Sequence, residues 1–285
     1  MIQYYIIRFV TLVISIFPLR IVRLLKYPIG VVYYYFSIRS TIRLLKRSNY
    51  LRNNNILSVS ALMQKIYYSQ YWIETIWLNG KSDKDLSYLV EINEKDKIEK
   101  IIASEEGFII ALPHQGNWEF AIPAGRNLGL KLAAVAEPLN NQYVMNWFTS
   151  LREEMGCKII IGGKKNETYS SIENLITNGY AVCLVSERHL LRSGAPELFF
   201  GKTAAFPTGP IRLALEKGCP VLPTTCLSTK NGFEIHFGNP FYVPYFGSNA
   251  QSIQHGIKTL VQEFETLIKI SPNQWHSTVP IWSDE

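Results

Sequence analysis

The stretch Ile110-Ala-Leu-Pro-His-Gln-Gly-Asn-Trp-Glu119 sets an imidazole, His114, and a carboxylate, Glu119, five positions apart behind the apolar run Phe108 to Leu112. Residues five apart on one straight helix lie about 140° from each other, so the pair shares no helical face. They meet if His114 ends a strand and Glu119 lies in the first turn of the next helix, with Gly116 permitting the tight path between them. The free N–H groups at such a helix start can receive an oxyanion or a phosphate. A histidine oriented by a carboxylate is a general base for a hydroxyl. Gly-x-Ser-x-Gly occurs nowhere in the chain, so the alcohol to be activated is the substrate's own and not a serine of the protein. Read by itself, the same spacing also fits a histidine satisfied structurally in a strand-to-helix turn.

The elements that must position this turn follow from periodicity and punctuation. A helix is predicted from Ser60 to Leu78, crowded with Tyr67, Tyr68, Tyr71, Trp72 and Trp77 and ended by Asn79-Gly80. A strand from Tyr88 to Ile92 and a charged helix from Asn93 to about Ser104 lead to the apolar run. After the motif come a strand over Lys131 to Ala136 and a helix burying Val144, Trp147, Phe148, Leu151 and Met155. The alternation repeats with a strand at Lys158 to Ile161, a helix from about Thr168 to Thr177 and a strand at Ala181 to Ser186. A helix stopped by Gly218, a strand from Pro220 to Cys226 and a hairpin signal at Asn231-Gly232 follow. The last long helix places Ile253, Ile257, Leu260, Val261, Phe264, Leu267 and Ile268 on one face. Gly162-Gly163-Lys164-Lys165 lacks the spacing of a P-loop and reads as a plain turn. Strands alternating with helices imply an α/β fold with a mainly parallel central sheet flanked by helices. With 285 residues, 47% of them hydrophobic, one catalytic domain is expected over residues 51–285, behind an N-terminal helical segment over residues 1–50.

The formal charge of +6 favours an anionic partner. Nucleic acid is not that partner, because no Lys/Arg-rich run, zinc-finger spacing or aromatic ribonucleoprotein motif is present. Cys157, Cys183, Cys219 and Cys226 form no Cys-x2-Cys pair, which points to a reducing, cytoplasmic compartment and no metal. The segment Met1 to Leu19 is apolar but carries Gln3, Arg8, Thr11 and Ser15, making it a poor secretory signal and a costly span. Arg20, Arg23, Lys26, Arg39, Arg43, Lys46 and Arg47 alternate with Leu, Ile and Tyr, a pattern that suits helices lying in a membrane interface. An amphipathic helix capping the core has the same pattern.

Pro113-His-Gln-Gly-Asn-Trp-Glu119 resembles the His-x4-Asp/Glu motif of the glycerolipid and lipid A acyltransferases, and most of all the branch that acylates phosphatidylinositol mannosides. The likeness runs from Tyr71-Trp72-Ile73-Glu74, which looks like the Tyr-Trp-x-Glu upstream of the family's histidine, to about Trp275. It implies a glycerolipid acyltransferase-like fold in which His114 is the base and Glu119 assists it. It also implies a second active-site glutamate, Glu137, in the turn Val135-Ala-Glu-Pro-Leu139. By the same likeness Asn117, Arg152, Glu187 and Arg188 bind substrate, with Leu190 and Gly194 in register. Phe199-Phe200-Gly201 and Phe206-Pro-Thr-Gly-Pro210 look like a third block, adding Phe200 and Gly209, and Val221-Leu-Pro223 like a fourth. Two positions depart from the pattern: the motif acid is Glu where many relatives have Asp, and His189 stands where Asp is common.

The implied reaction moves a palmitoyl-like chain from acyl-coenzyme A, a co-substrate and not a resident cofactor, to a mannose hydroxyl of phosphatidylinositol mannoside. The implied location is an anionic lipid surface on the cytoplasmic face of the plasma membrane, held peripherally or monotopically. The alternatives are a Kdo-lipid A late acyltransferase and a non-catalytic membrane scaffold of the same fold. The turn around Glu137 and the pair Glu187-Arg188 favour the mannoside branch, and the intact His114 and Glu119 argue against a scaffold.

Overall fold

Phe108–Leu112, the apolar run ahead of the histidine, forms β2, and all five residues are buried. A strand buried on both faces belongs in the interior of a covered sheet. In the computed structural model, which describes residues 2–81, 86, 88–163, 165–188 and 194–285 (side chains of 2–8 and 165 excepted), β2 has neighbours on both sides. β5 (Tyr180–Val185) and β8 (Val221–Ser228) flank it, both parallel to it. β3 (Lys131–Ala136) and β4 (Cys157–Ile161) extend the parallel part beyond β5. Beyond β8 the direction reverses, because the Asn231-Gly232 signal turns the chain into the antiparallel strand β9 (Phe233–Phe237). β1 (Val90–Ile92) pairs parallel to β9 at that edge, giving the order β1-β9-β8-β2-β5-β3-β4. The mainly parallel α/β sheet read from the sequence is therefore the fold.

One element was not anticipated. Ala195–Phe199 (β6) and Lys202–Phe206 (β7) form a separate antiparallel hairpin, with Phe200 and Gly201 at its turn in the left-handed region at φ 50° and 82°. Gly201 announces such a turn, but a left-handed phenylalanine has no sequence signature.

Helices cover both faces. Ile109 and Ala111 of β2 point to one layer, shared with α9 (Lys165–Thr177), α10 (Gly209–Lys217) and α11 (Asn249–Ile270). Phe108, Ile110 and Leu112 point to the other, shared with α5 (Ala61–Leu78), α6 (Lys95–Ile102), α7 (Ala121–Asn127) and α8 (Gln142–Glu154). The strand period of two thus assigns alternate residues of one run to two cores.

Residues 2–53 fold into α1 (Ile2–Ser15), α2 (Leu19–Val22), α3 (Lys26–Phe36) and α4 (Ile38–Asn53). They are fastened to α5: Trp77 Nε1 donates to the Phe17 carbonyl at 2.9 Å, and Arg23 Nε lies 2.7 Å from Glu74 Oε1. At the α3–α5 crossing an added Cβ on Gly30 would stand 2.6 Å from Ile66 Cα, so the helices meet backbone to backbone. Among the described residues no helix is long and apolar enough to cross a membrane. Gly30→Ala is expected to force these helices apart and cost ~1–3 kcal/mol, read from the midpoint of urea unfolding. An unchanged midpoint contradicts the crossing.

Candidate active site

The chain leaves β2 through Pro113 and turns at Gly116, whose φ is +65° and where an added Cβ would lie 1.9 Å from the Cys226 carbonyl oxygen. No other residue fits there. Backbone bonds hold the approach: Asn117 N–H donates to the Cys226 carbonyl at 2.7 Å, and Gly116 N–H to the Gln274 carbonyl at 3.0 Å. The segment following α11 completes the clamp. His276 N–H donates to the His114 carbonyl at 3.0 Å, and its Nε2 to the Gly116 carbonyl at 2.9 Å.

Held in this way, His114 presents Nδ1 to Glu187, 2.6 and 2.7 Å from the two carboxylate oxygens. Sheet register explains the meeting: Leu112 is opposite Val185 across β2 and β5, and His114 and Glu187 each lie two residues further on. Glu187 is fully buried, which by itself pushes its carboxyl up. The charge and hydrogen bond of His114, with Arg188 beside them, outweigh burial and hold it below the ordinary value. A carboxylate at Nδ1 assigns the proton to that nitrogen and leaves Nε2 as the acceptor. Arg188 Nη2 stands 3.4 Å from Nε2, and Arg188 Nε and Nη1 are buried with no hydrogen-bond partner among the described residues.

Glu119 is elsewhere, and this corrects the expected His114–Glu119 pair. Asn117 Oδ1 accepts from Glu119 N–H at 3.2 Å and caps a short 3₁₀ turn, Trp118–Phe120, which carries the carboxylate into the interior. There Arg152 grips it with two bonds, Nη2 to Oε1 at 2.6 Å and Nε to Oε2 at 3.0 Å, and Tyr71 donates its hydroxyl at 3.1 Å. Burial opposes the charge on Arg152, but the Glu119 carboxylate overrides it and holds the guanidinium protonated above its ordinary value. Burial and the same carboxylate keep the Tyr71 phenol protonated far above its own.

A cavity of about 420 Å³ opens beside His114, walled by Ile110, Leu112, Leu128, Leu132, Phe148 and Phe237 and edged by Arg152 and Arg188. Glu137 lines its rim, exposed just past β3. Among the described residues, the carboxylate hydrogen-bonded to His114 is that of Glu187 and not that of Glu119 or Glu137. Four expected substrate contacts do not line the cavity: Glu187, fully buried against His114 Nδ1, and three others. Asn117 is fully buried as the cap of the turn, Phe200 packs in the opposite core 5.6 Å from the Trp275 ring, and Gly209 begins α10. His189 and Leu190 lie outside the described residues, as does Lys164. Cys157 and Cys183 line the cavity as inert thiols: burial, then Glu119, pushes Cys157 up to about 12, and burial raises Cys183 as well.

The family model for bacterial lipid A biosynthesis acyltransferases matches residues 2–283. The chain belongs to that family. It is similar to the phosphatidylinositol mannoside acyltransferase of Mycolicibacterium smegmatis, 28% identical over 217 residues that span 75% of this chain and 69% of that protein. The enzyme of the same name from Mycobacterium tuberculosis is 28% identical over 218 residues, 75% of this chain and 67% of its own length. The chain is accordingly an acyltransferase of lipid biosynthesis.

In this acyltransferase the Tyr71-Trp72-Ile73-Glu74 stretch acquires a definite place. Tyr71 and Glu74, three apart on one face of α5, bracket the turn: Tyr71 reaches Glu119, and Glu74 Oε2 accepts from Asn117 Nδ2 at 3.1 Å. The other Glu74 oxygen receives Arg23, whose remaining donors bind the carbonyls of Thr229 and Gly232 at 2.7 and 3.0 Å. His276 carried no local signal, being 160 residues from the glycine it clamps.

Burial lowers the His276 imidazole from 6.5 to about 4, so the folded state holds it neutral. The unfolded chain then binds the extra proton between pH 6.5 and about 4, and this contribution to stability, full above 6.5, is lost as pH falls through that window. The loss is ~3 kcal/mol at the acid end. His276→Gln keeps an N–H donor and should remove that slope when ΔG of unfolding is followed from pH 7 to 4. An identical acid slope in both proteins would show that His276 is not the group titrating.

Proposed function

We propose that this acyltransferase moves a long, palmitoyl-like chain from acyl-coenzyme A to a mannose hydroxyl of phosphatidylinositol mannoside. The observation that carries the reading is the His114–Glu187 pair at the mouth of a largely apolar cavity, whose 420 Å³ lies within the ~300–1,000 Å³ of ligand sites. His114 Nε2 takes the proton of the attacking hydroxyl while Glu187 stabilises the imidazolium that forms. The hydroxyl oxygen bonds to the thioester carbonyl carbon, whose oxygen becomes the oxyanion of a tetrahedral intermediate. The unpartnered donors of Arg188 are suited to meet that charge, an interaction worth ~2.7–4 kcal/mol per donor in other enzymes. Collapse breaks the carbon–sulfur bond, and the coenzyme A sulfur leaves with the proton held by His114. The mannoside acceptor is supported by the names of the similar mycobacterial enzymes. A lipid A precursor is the competing acceptor, in line with the family description. Supplying palmitoyl-coenzyme A with each acceptor and reading the products by mass spectrometry tests the choice; acylation of the lipid A precursor alone would overturn it.

The two carboxylates should separate cleanly in mutants. Glu187→Gln is expected to lower kcat by ~10²–10⁴ with little change in melting, because it removes the charge behind the base. His114→Ala should abolish transfer. Glu119→Gln instead leaves Arg152 buried beside a neutral amide and should cost ~3–5 kcal/mol of stability. Parallel turnover and urea-unfolding measurements decide, and a catalytic loss confined to Glu119→Gln would restore the original pairing.

Within this reading the protein sits peripherally on the cytoplasmic face of the plasma membrane. The support is a belt of exposed apolar side chains on α1 to α4 and the turns between them, among them Phe9, Leu12, Ile16, Leu24, Tyr35 and Phe36, the last 84% exposed. Such a belt rimmed by Arg20, Arg39 and Lys46 is what an interfacial helix presents to acyl chains and anionic headgroups. Replacing Phe9, Ile16 and Phe36 together by Ser should weaken binding to phosphatidylglycerol vesicles at least tenfold in a flotation assay, since each buried side chain contributes ~1.5–3 kcal/mol. Unchanged flotation places the contact on another surface.

A further inference from the structure

A second concavity of about 260 Å³ lies away from His114, between α4, β7 and the last residues of the chain. Its lining brings together Arg39, Arg43, Lys46, Arg47 and Lys202, five cations, against two carboxylates, those of Asp284 and Glu285. Two cations are paired with carboxylates, and a third, Arg43, keeps its charge while donating from Nη1 to the Thr278 carbonyl at 2.7 Å. Arg47 is fully buried, bonded to Glu285 at 2.6 Å and to the carbonyls of Ser277 and Val279, and Lys202 pairs with Asp284 at 2.6 Å. The surplus of three belongs to Arg39, Arg43 and Lys46, which follow one another at i, i+4 and i+7 on α4. Like charges at such spacings oppose helix formation, and α4 contains no acidic residue to relieve them. The charge of Arg43 is felt beyond the pocket: Lys65 is lowered to about 8, by burial first and then by Arg43. Beside this basic row runs a second one, Ile38, Ile42 and Leu45, at the same spacing one residue earlier, and all three are exposed. Ile42 belongs to both, since it also lines the pocket.

We infer that this pocket binds the phosphate headgroup of an anionic phospholipid, whose acyl chains leave along Ile38, Ile42 and Leu45. The volume is too small for a whole lipid or for coenzyme A but suits a headgroup, and cation and apolar surface lie side by side as such an amphiphile requires. A free phosphate would use the basic row and gain nothing from the apolar one. The inference deepens the membrane-contact reading by naming a stoichiometric lipid site within it. It does not depend on the acyl transfer.

The test uses the full chain and a lipid that forms no bilayer, so that it is separable from vesicle binding. Dihexanoyl-phosphatidylglycerol, kept below its micelle concentration, should give a saturable one-to-one isotherm in titration calorimetry, and dihexanoyl-phosphatidylcholine none. Arg39→Gln combined with Lys46→Gln alters two exposed side chains and should weaken that isotherm about tenfold or more at an unchanged melting temperature. An isotherm that survives the double substitution would mean that the lipid seats elsewhere, the cavity at His114 included, and overturns the site. Inorganic phosphate binding as tightly as the lipid at equal ionic strength also overturns it, in favour of a plain anion site. If wild-type protein floats with vesicles but shows no saturable isotherm, the membrane reading stands and the pocket falls. If the isotherm behaves as expected and flotation fails, the reverse holds.

Discussion

At Gly116 the backbone passes so close to Cys226 that a single added carbon would meet its carbonyl oxygen at 1.9 Å. Contact this tight is stable only if the groups brought together are hydrogen-bonded, because buried amides left unpaired cost more than their bonds return. The turn meets that requirement from two distant parts of the chain, β8 through Cys226 and the segment after α11 through Gln274 and His276. What results is a histidine whose backbone is held on both sides while its ring, bonded to Glu187 at Nδ1, lines the cavity. Pre-organisation of this kind is what the proposed general base needs, since any reorientation would have to be made during the reaction.

Two buried carboxylates flank this turn in opposite electrostatic roles. Glu187 meets a group that changes charge, the imidazole, whereas Glu119 meets one that does not, the Arg152 guanidinium. The first arrangement can follow a proton; the second can only hold a shape. Glu119 links α8 to the 3₁₀ turn, Tyr71 adds α5, and through Asn117 and Glu74 the same network reaches Arg23 and the hairpin carbonyls of Thr229 and Gly232. The N-terminal helices are therefore coupled to the turn that carries His114 by buried polar contacts. A buried pair of this sort specifies geometry at a cost in desolvation, and contributes less to net stability than its short distances suggest.

The apolar belt of α1 to α4 lies outside both cores of the sheet. Helices that cover a sheet bury one stripe each, and those at the N-terminus carry apolar residues on more than one side. α3, for example, packs Gly30 against α5 while leaving Tyr35 and Phe36 in the open. The excess finds no core to enter. Under the proposed function, that excess and the apolar lining of the cavity would be two surfaces for one kind of molecule.

Much of this architecture was legible in the sequence. The Phe108–Leu112 run, the alternation through Lys131–Ala136 and Tyr180–Val185, the Asn231-Gly232 turn and the face of the last helix are local patterns, and local patterns survive folding when packing agrees with them. The histidine, the glycine that frees its turn and the family were legible too, because residue type and short spacing carry them. Glu119 is where that reasoning failed. A five-residue spacing shows that two groups are near in sequence, but a short 3₁₀ turn rotated the carboxylate inward, toward an arginine 33 residues away. Glu187 met His114 in its place because two parallel strands ended at the same level, a fact of register that neither strand encodes alone. His276 was invisible for the same reason, and so was the side of the sheet on which Phe200 is buried. The sequence by itself determined which groups were available and where the chain would turn; which of them face one another was decided only when seven strands took their order, because side-chain partners across a sheet are chosen by register and by what else fills the space.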